Sequence, residues 1–248
     1  MKKKLMFLFL LMFGIIGVDS LRLSNVDAKA SNSTNSEVQE SYKILPNNDR
    51  HQIIDGLNGH YQSVSFLNVN YVWSGTGVVI GKDTVLTNRH TLQRVKKPED
   101  IRFAPARTSK TVVPFDAFEA SDFVVNTDPE YDLAVVNVKP NQYGHIGDCV
   151  KPAVMEKEPD TSVGTELTIT GYPQDKSFAT MWESKGKSTR KATKRLYYDA
   201  STEGGNSGSP VFNKDNHLIG IHAGAVTNEN YGVRIDSTIY KFIQEHMK

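Results

Sequence analysis

The chain of 248 residues has few of the features that cross-link a protein or hold it in a membrane. Its one cysteine, Cys149, cannot form a disulfide within the chain, so packed side chains must hold the fold together. We assign Cys149 to packing. Neither charge dominates, because 29 basic residues face 28 acidic ones. A nucleic-acid binder would be strongly basic, so we expect no nucleic-acid partner.

A long hydrophobic run is also missing. The apolar and glycine stretch from Leu5 to Val18 has 14 residues, fewer than the ~20 that cross a bilayer as a helix. Three lysines precede it, and Ala28-Lys29-Ala30 follows with small residues where a signal peptidase reads. This pattern predicts that residues 1–30 are a signal peptide, and that the protein is secreted without a membrane anchor.

Residues 31–42 are polar and low in complexity, and they hold too little apolar surface to fold alone. They are either a short propeptide or a flexible leader, and we predict a propeptide over 31–42. The sequence shows no repeat and no interdomain linker beyond this point. Residues 43–248 are therefore predicted to be one folding unit, with two β-subdomains.

The folding unit consists of short apolar runs separated by Gly, Pro, Asn and Asp. Most runs have four to seven residues and are rich in Val, Ile, Thr and Phe, which favours strands over helices. The predicted strands are 64–69, 76–80, 84–87, 123–125, 133–138, 166–170, 209–212 and 217–222. One helix is predicted, from Ser237 to Met247 after the possible cap Asp236. This order predicts an all-β barrel architecture closed by a C-terminal helix.

Residues 204–210, Gly-Gly-Asn-Ser-Gly-Ser-Pro, surround Ser207 with glycines. A serine hydroxyl needs a neighbouring base and donors for the oxyanion that it creates. Glycines allow a tight turn that aims N–H groups at one point, here those of Gly205 and Ser207. The alternative is a Gly/Ser-rich loop without chemistry.

Two further blocks offer a base and a carboxylate. His90 is the last residue of the stretch 84–90, which is predicted to be a strand. Its imidazole can accept and return a proton near neutral pH. Asp132 leads into an apolar run, where a carboxylate can orient the histidine. Asp122 also precedes an apolar run and is the competing candidate, and a surface aspartate that caps a strand is the alternative. The chain order His, Asp, Ser is that of the chymotrypsin template.

These blocks resemble the Leu-Thr-Asn-x-His, Asp-Leu-Ala-Val and Gly-Asn-Ser-Gly-Ser-Pro signatures of chymotrypsin-fold serine peptidases. The resemblance implies a chymotrypsin-like double β-barrel with catalytic residues His90, Asp132 and Ser207. It also implies an oxyanion hole formed by the amides of Gly205 and Ser207.

A closer resemblance links residues 44 to 248 with the staphylococcal glutamyl endopeptidases. The matching segments are 44–53, 59–61, 145–147, 150–153, 170–173 and 179–184. The resemblance implies cleavage after glutamate, and more slowly after aspartate. It implies that Thr202, His222 and the freed α-amine of Lys43 bind the glutamate side chain. Cleavage between Tyr42 and Lys43 would free this α-amine. Cleavage after Glu40, which would leave Ser41 as the first residue, is the alternative.

Three features of the sequence depart from that family pattern. Ala223 and Ala225 replace an aromatic residue and a glycine in the segment that pairs with the substrate backbone. Glu203 adds a negative charge beside Thr202. Six basic residues lie within 185–195, either as a solvated hairpin or as a surface that steers acidic substrates.

The sequence therefore predicts a secreted serine endopeptidase that acts on proteins and peptides through an acyl-enzyme and prefers Glu, then Asp. A narrow-specificity relative, as in the exfoliative toxins, is the nearest alternative, and a non-catalytic secreted binding protein is the more distant one. The seven histidines show no spacing with Cys or carboxylates that is typical of a metal site. We expect no metal, no cofactor and a monomer.

Overall fold

A computed structural model describes residues 39–40, 43–46 and 49–248, with the backbone alone for 39–40. The predicted signal peptide and most of the predicted propeptide lie outside the described residues. In the described part, no helix has the length and apolar character needed to cross a membrane.

Fourteen strands are described. They are β1 Gln39–Glu40, β2 His51–Ile53, β3 Val64–Val69, β4 Trp73–Val79, β5 Thr84–Thr87, β6 Ile101–Pro105, β7 Phe118–Val125, β8 Ala134–Val138, β9 Glu166–Gly171, β10 Met181–Arg190, β11 Arg195–Tyr198, β12 Pro210–Asn213, β13 Leu218–Val226 and β14 Glu229–Arg234. The helices are α1 Ile146–Cys149 and α2 Ser237–His246, with short 3₁₀ turns at Gly59–Ser63, His90–Leu92 and Pro98–Asp100.

The strands form two barrels, each closed by antiparallel pairing. The first barrel runs in the order β3-β4-β5-β8-β7-β6, and β6 pairs back onto β3. The second runs β13-β12-β9-β10-β11-β14, and β14 pairs back onto β13. This architecture confirms the predicted double β-barrel.

Strands at the junction of the barrels place apolar side chains on both faces. In β3, Leu67 and Val69 pack in the core of the first barrel, whereas Val64 and Phe66 belong to a second cluster. That second cluster also holds Met181, Phe212 and Ile221 from the other barrel. Because successive side chains point to opposite faces of a strand, both faces must be apolar where both are covered.

The C-terminal helix begins and ends within one residue of its prediction. The Asp236 carboxylate caps α2 by accepting the Ile239 N–H at 2.9 Å. Ile239 and Ile243 lie one turn apart and are fully buried in the cluster between the barrels. The cap stabilises the first turn of the helix, and the apolar stripe packs the helix against the cluster between the barrels.

A buried carboxylate connects the N-terminal segment to the second barrel. Glu183 of β10 hydrogen-bonds His60 at 3.1 Å and Thr170 at 3.3 Å, and His51 lies 3.5 Å away. Burial opposes ionisation of Glu183, but the hydrogen bond and charge of His60 outweigh it and lower the pKa of the carboxyl group. The ionised Glu183 is thus matched by partners on both sides.

Candidate active site

The loop that carries Ser207 depends on two glycines. Gly205 has φ +91° and Gly208 has φ +86°, both in the left-handed region that favours glycine. A Cβ on Gly208 would lie 1.9 Å from the Thr76 carbonyl oxygen, and one on Gly205 would lie 2.3 Å from that of Tyr172. The loop is therefore packed so closely against β4 and the end of β9 that only glycine fits.

The structure brings His90, Asp132 and Ser207 together. His90 Nε2 lies 2.9 Å from Ser207 Oγ, which is hydrogen-bond distance. His90 Nδ1 hydrogen-bonds Asp132 Oδ2 on its other side. His90 begins the 3₁₀ turn that follows β5, so the predicted strand ends three residues earlier, and Asp132 and Ser207 lie in the segments before β8 and β12. Folding thus joins residues up to 117 positions apart.

Asp132 is held in place by bonds that do not involve the imidazole ring. Its Oδ1 accepts the backbone N–H of His90 at 2.9 Å, and Asn88 Nδ2 donates to its carbonyl at 2.8 Å. The side chain keeps 21% of its surface exposed, so it is less buried than the sequence led us to expect. The competing Asp122 instead bonds Asn137 and Lys248 at the far end of β8.

Two amides beside Ser207 remain available. The N–H groups of Gly205 and Ser207 donate to no acceptor among the described residues. Their carbonyls are turned away, since Thr76 donates to both of them at 2.9 Å, from its side chain to Gly205 and from its backbone to Ser207. The arrangement leaves two donors next to the hydroxyl, as an oxyanion site requires.

Two polar side chains beside this loop, Thr202 and His222, define what we call the polar pocket. Both side chains are fully buried, yet Thr202 Oγ1 and His222 Nε2 have no hydrogen-bond partner among the described residues. Buried polar atoms are nearly always paired, so these two atoms suit a polar ligand group. The His222 backbone bonds Ser209 at 2.8 Å and Gly208 at 3.1 Å, which connects the pocket to the loop that carries Ser207.

Lys43 lies at the same pocket. Its carbonyl oxygen accepts the Thr202 N–H at 3.0 Å and Asn230 Nδ2 at 2.7 Å. Its ammonium group bonds the carbonyl of Thr227. The segment that begins at Lys43 is fixed further by Ser201, whose hydroxyl accepts the Leu45 N–H at 2.9 Å.

The backbone just before Lys43 forms a strand on an edge of β13. Gln39 pairs with Val226 and Glu40 with Ala225, in antiparallel register. This edge is open because β12 pairs with β13 only as far as Ile221. It is the segment in which the sequence departs from the family pattern at Ala223 and Ala225.

The two other departures from the family pattern, Glu203 and the basic stretch 185–195, form contacts with nearby residues. The Glu203 carboxylate accepts the N–H of Gly204 at 2.9 Å, within its own loop. In the basic stretch, Arg190 pairs with Glu229, Lys194 pairs with Asp128 and Glu130, and Arg195 stacks on Tyr231. Three of the six basic residues thus have partners, and the steering of acidic substrates by this stretch stays a prediction.

Two pocket residues were missed by the sequence analysis. Tyr198 hydrogen-bonds His222 Nδ1 at 2.7 Å, and Asn230 holds both Lys43 and the Ala200 carbonyl. Neither residue lies in a recognisable motif. Their positions follow from the pairing of β11 with β14 and of β14 with β13, which local patterns do not reveal.

A cavity of about 420 Å³ lies beside His90 and Asp132. Its walls include His90, Asp132, Ala223, Arg195 and Tyr231. Over residues 39–40, 43–46 and 49–248, no three His, Cys, Asp or Glu side chains form a group that could hold a metal ion.

Comparison with known proteins agrees with this geometry. Residues 75–221 match the family described as trypsin-like peptidase domain. The chain is 44% identical over 211 residues to glutamyl endopeptidase of Staphylococcus aureus strain MW2, covering 83% of this chain and 64% of that protein. The same enzyme of strain MRSA252 is also 44% identical, with 59% of its length covered. The chain thus spans about three fifths of the curated relatives that it matches.

Solved structures show the same fold. A Glu endopeptidase in complex with MPD superposes with a TM-score of 0.72 at 23% identity, covering 81% of this chain and 97% of that one. The protease Anisep from Arthrobacter nicotinovorans superposes with a TM-score of 0.63 at 16% identity, covering 77% and 96%. At these identities the likeness concerns the fold alone.

Proposed function

Because this chain belongs to the family of trypsin-like peptidase domains, we propose that it is a serine endopeptidase that cleaves after glutamate and, more slowly, after aspartate. The observation that carries the proposal is the hydrogen-bonded chain from Ser207 Oγ through His90 to Asp132, next to two free amides. The 44% identity to staphylococcal glutamyl endopeptidases supports the same activity.

The proposed reaction passes through an acyl-enzyme. Ser207 Oγ attacks the scissile carbonyl carbon while His90 Nε2 takes its proton, and Asp132 stabilises the imidazolium that forms. The N–H groups of Gly205 and Ser207 bind the negative oxygen of the tetrahedral intermediate. His90 then gives the proton to the leaving amine as the C–N bond breaks. A water molecule, deprotonated by His90, hydrolyses the Ser207 ester and regenerates the hydroxyl.

The proposed specificity rests on the polar pocket. A glutamate side chain loses its hydration on entry, which is unfavourable unless other donors replace the water. Thr202 Oγ1 and His222 Nε2 are buried there without partners in the part of the chain that the structure describes, so both are available to the incoming carboxylate. The α-amine of Lys43 is the third proposed donor, since the carbonyl of the same residue is already bonded to Thr202.

A set of peptides that differ only at the residue before the scissile bond tests this specificity. We expect glutamate peptides to give the highest kcat/KM, followed by aspartate. The Thr202→Val substitution keeps the shape of the side chain and removes its donor, so it lowers kcat/KM for glutamate about 10- to 100-fold. Cleavage of an alanine peptide should hardly change.

The matched control is Thr180→Val. Thr180 is also buried, but its hydroxyl bonds the Ser177 carbonyl and contacts neither Thr202 nor His222. It should leave the preference for glutamate intact. Cleavage without enrichment of Glu or Asp would point to a narrow-specificity relative, and complete inactivity of the processed chain would favour a binding protein.

We also propose that residues 31–42 are a propeptide that blocks the site until it is cleaved. In the uncleaved chain, Glu40 occupies the β13 edge at Ala225, where the family resemblance puts the substrate backbone. The nitrogen of Lys43 is then a peptide amide and carries no charge. Cleavage between Tyr42 and Lys43 would therefore do two things at once. It would free the edge of β13, and it would give Lys43 a charged α-amino group.

Comparing three versions of the chain tests this proposal. A chain that begins at Lys43 should have a kcat/KM for glutamate peptides roughly 100-fold above that of a chain that keeps residues 31–42, because a charge-assisted bond is gained. A chain that begins at Ser41 should stay close to the uncleaved form. Equal activity of all three would refute the propeptide role.

The remaining proposals concern the setting of the enzyme. We propose that the protein is exported by residues 1–30 and acts outside the cell as a monomer on protein and peptide substrates. Mass spectrometry of the protein from culture medium tests export and the first residue together. Recovery of the full chain inside cells alone would count against export.

A further inference from the structure

Tyr198 and His222 form a buried pair whose protons can be accounted for one by one. Both side chains are fully buried, and the Tyr198 hydroxyl lies 2.7 Å from His222 Nδ1. Tyr198 belongs to β11 and His222 to β13, with β14 between them. The tyrosine therefore reaches the histidine from another strand and does not belong to the loop that carries Thr202 and Ser207.

Both groups are neutral in this environment. Burial raises the pKa of Tyr198 well above its ordinary value, so the phenol keeps its proton. Burial, aided by the charge of His90, lowers the pKa of His222 to about 3, although the Tyr231 carbonyl and Asp132 oppose the shift. The pair thus shares two hydrogens, one on the phenol oxygen and one on the imidazole.

The phenol favours one placement of these hydrogens, although the backbone of Tyr231 is a second hydrogen-bond partner of the ring. If Nδ1 carried the ring hydrogen, the phenol hydrogen would have no acceptor among the described residues, because the Tyr198 hydroxyl has no other hydrogen-bond partner there. If the phenol donates to Nδ1, its hydrogen is satisfied and the ring hydrogen must sit on Nε2. Unsatisfied buried donors are rare in proteins, so the second placement is favoured.

We propose that Tyr198 is a specificity-determining positioning residue, which fixes the His222 tautomer so that Nε2 is a donor and the pocket accepts glutamate but discriminates against glutamine. This inference rests on the proposed preference for glutamate. It assigns to Tyr198 no contact with substrate, since the residue acts through His222.

The chemistry of the two substrates explains the discrimination. A carboxylate only accepts hydrogen bonds, so it matches a pocket that only donates. A glutamine side chain carries an NH₂ group that needs an acceptor, and an Nε2 that already bears hydrogen offers none. Without the phenol, Nδ1 loses its donor and the ring can hold its hydrogen on either nitrogen. Nε2 then becomes able to accept the N–H of glutamine.

The test compares Tyr198→Phe with Tyr197→Phe, each in the active, processed protein. Tyr197 is the neighbouring buried tyrosine, and its ring packs against Arg190 and Tyr231 away from His222. The measured quantity is the ratio of kcat/KM for two peptides that differ only by Glu or Gln before the scissile bond. Tyr198→Phe should lower this Glu/Gln ratio about tenfold, whereas Tyr197→Phe should leave it unchanged.

A second measurement does not depend on activity. Nitrogen-15 NMR of the histidine rings distinguishes the two tautomers, and wild-type His222 should carry its hydrogen on Nε2. In Tyr198→Phe the signals should move toward the other tautomer or an average of both. A wild-type ring with hydrogen on Nδ1 overturns the inference even if the variant fails to fold.

The outcomes separate the inference from the function on which it rests. If the wild type shows no preference for glutamate, the proposed specificity fails. If the wild type prefers glutamate and Tyr198→Phe slows both peptides equally, Tyr198 only supports the fold and the inference alone fails. A lower Glu/Gln ratio with a shifted tautomer supports both.

Discussion

Replacing Ser207 by alanine should lower kcat about 10⁶-fold, the scale expected when a catalytic serine is lost. The hydroxyl is the proposed nucleophile and lies 2.9 Å from His90 Nε2. No other hydroxyl is hydrogen-bonded to that nitrogen in the described part of the chain. Hydrolysis of a glutamate peptide, followed over hours, measures the residual rate.

Ser209→Ala is the matched control for this substitution. Ser209 lies two positions away in the same loop, where Asn206 Nδ2 contacts its hydroxyl at 3.3 Å. Loss of one such neutral hydrogen bond should change activity by no more than about tenfold. If both variants lost activity equally, disruption of the loop rather than loss of the nucleophile would explain the result.

Asp132→Asn should lower kcat about 10⁴-fold at neutral pH while the fold stays intact. Asparagine has nearly the same shape, but it cannot stabilise the imidazolium, and its amide favours the wrong His90 tautomer. The carboxylate contacts both the ring and the backbone of His90, so its replacement changes the base directly. Steady-state kinetics with a glutamate peptide gives kcat and KM separately.

Asp122→Asn is the corresponding control, because Asp122 was the competing candidate in the sequence. Its carboxylate bonds Asn137 and Lys248, so the substitution should affect stability and leave kcat within a few-fold of wild type. The reverse pattern, with an inactive Asp122→Asn and an active Asp132→Asn, would contradict the proposed triad.

Burial alone does not separate the strands that the sequence predicted from those that it missed, since Ile101–Pro105 was missed although four of its five residues are buried. The strand Val64–Val69 was predicted with its observed bounds because four of its six residues are Val, Phe or Leu. The ten-residue strand Met181–Arg190 was missed, since its second half is polar and exposed at alternate positions. Its existence depends on pairing with β9 and β11, which is a tertiary property.

The residues of the candidate site also divide into those that stand in a local motif and those that do not. His90, Asp132 and Ser207 stand in motifs whose chemistry can be argued from neighbouring residues. Tyr198 and Asn230 have no such motif, because each acts on a residue of another strand or segment. The pairing of Glu40 with Ala225 was also missed, since a polar leader carries no strand pattern.

The most direct test of the central claim is the site of reaction with an organophosphonate fluoride. The processed chain should gain one adduct by intact mass spectrometry, and peptide mapping should find it on Ser207. The Ser207→Ala protein should gain none, and His90→Ala should react far more slowly because the base is missing. A processed wild-type chain that stays unlabelled, or that carries the adduct on another serine, would contradict the account.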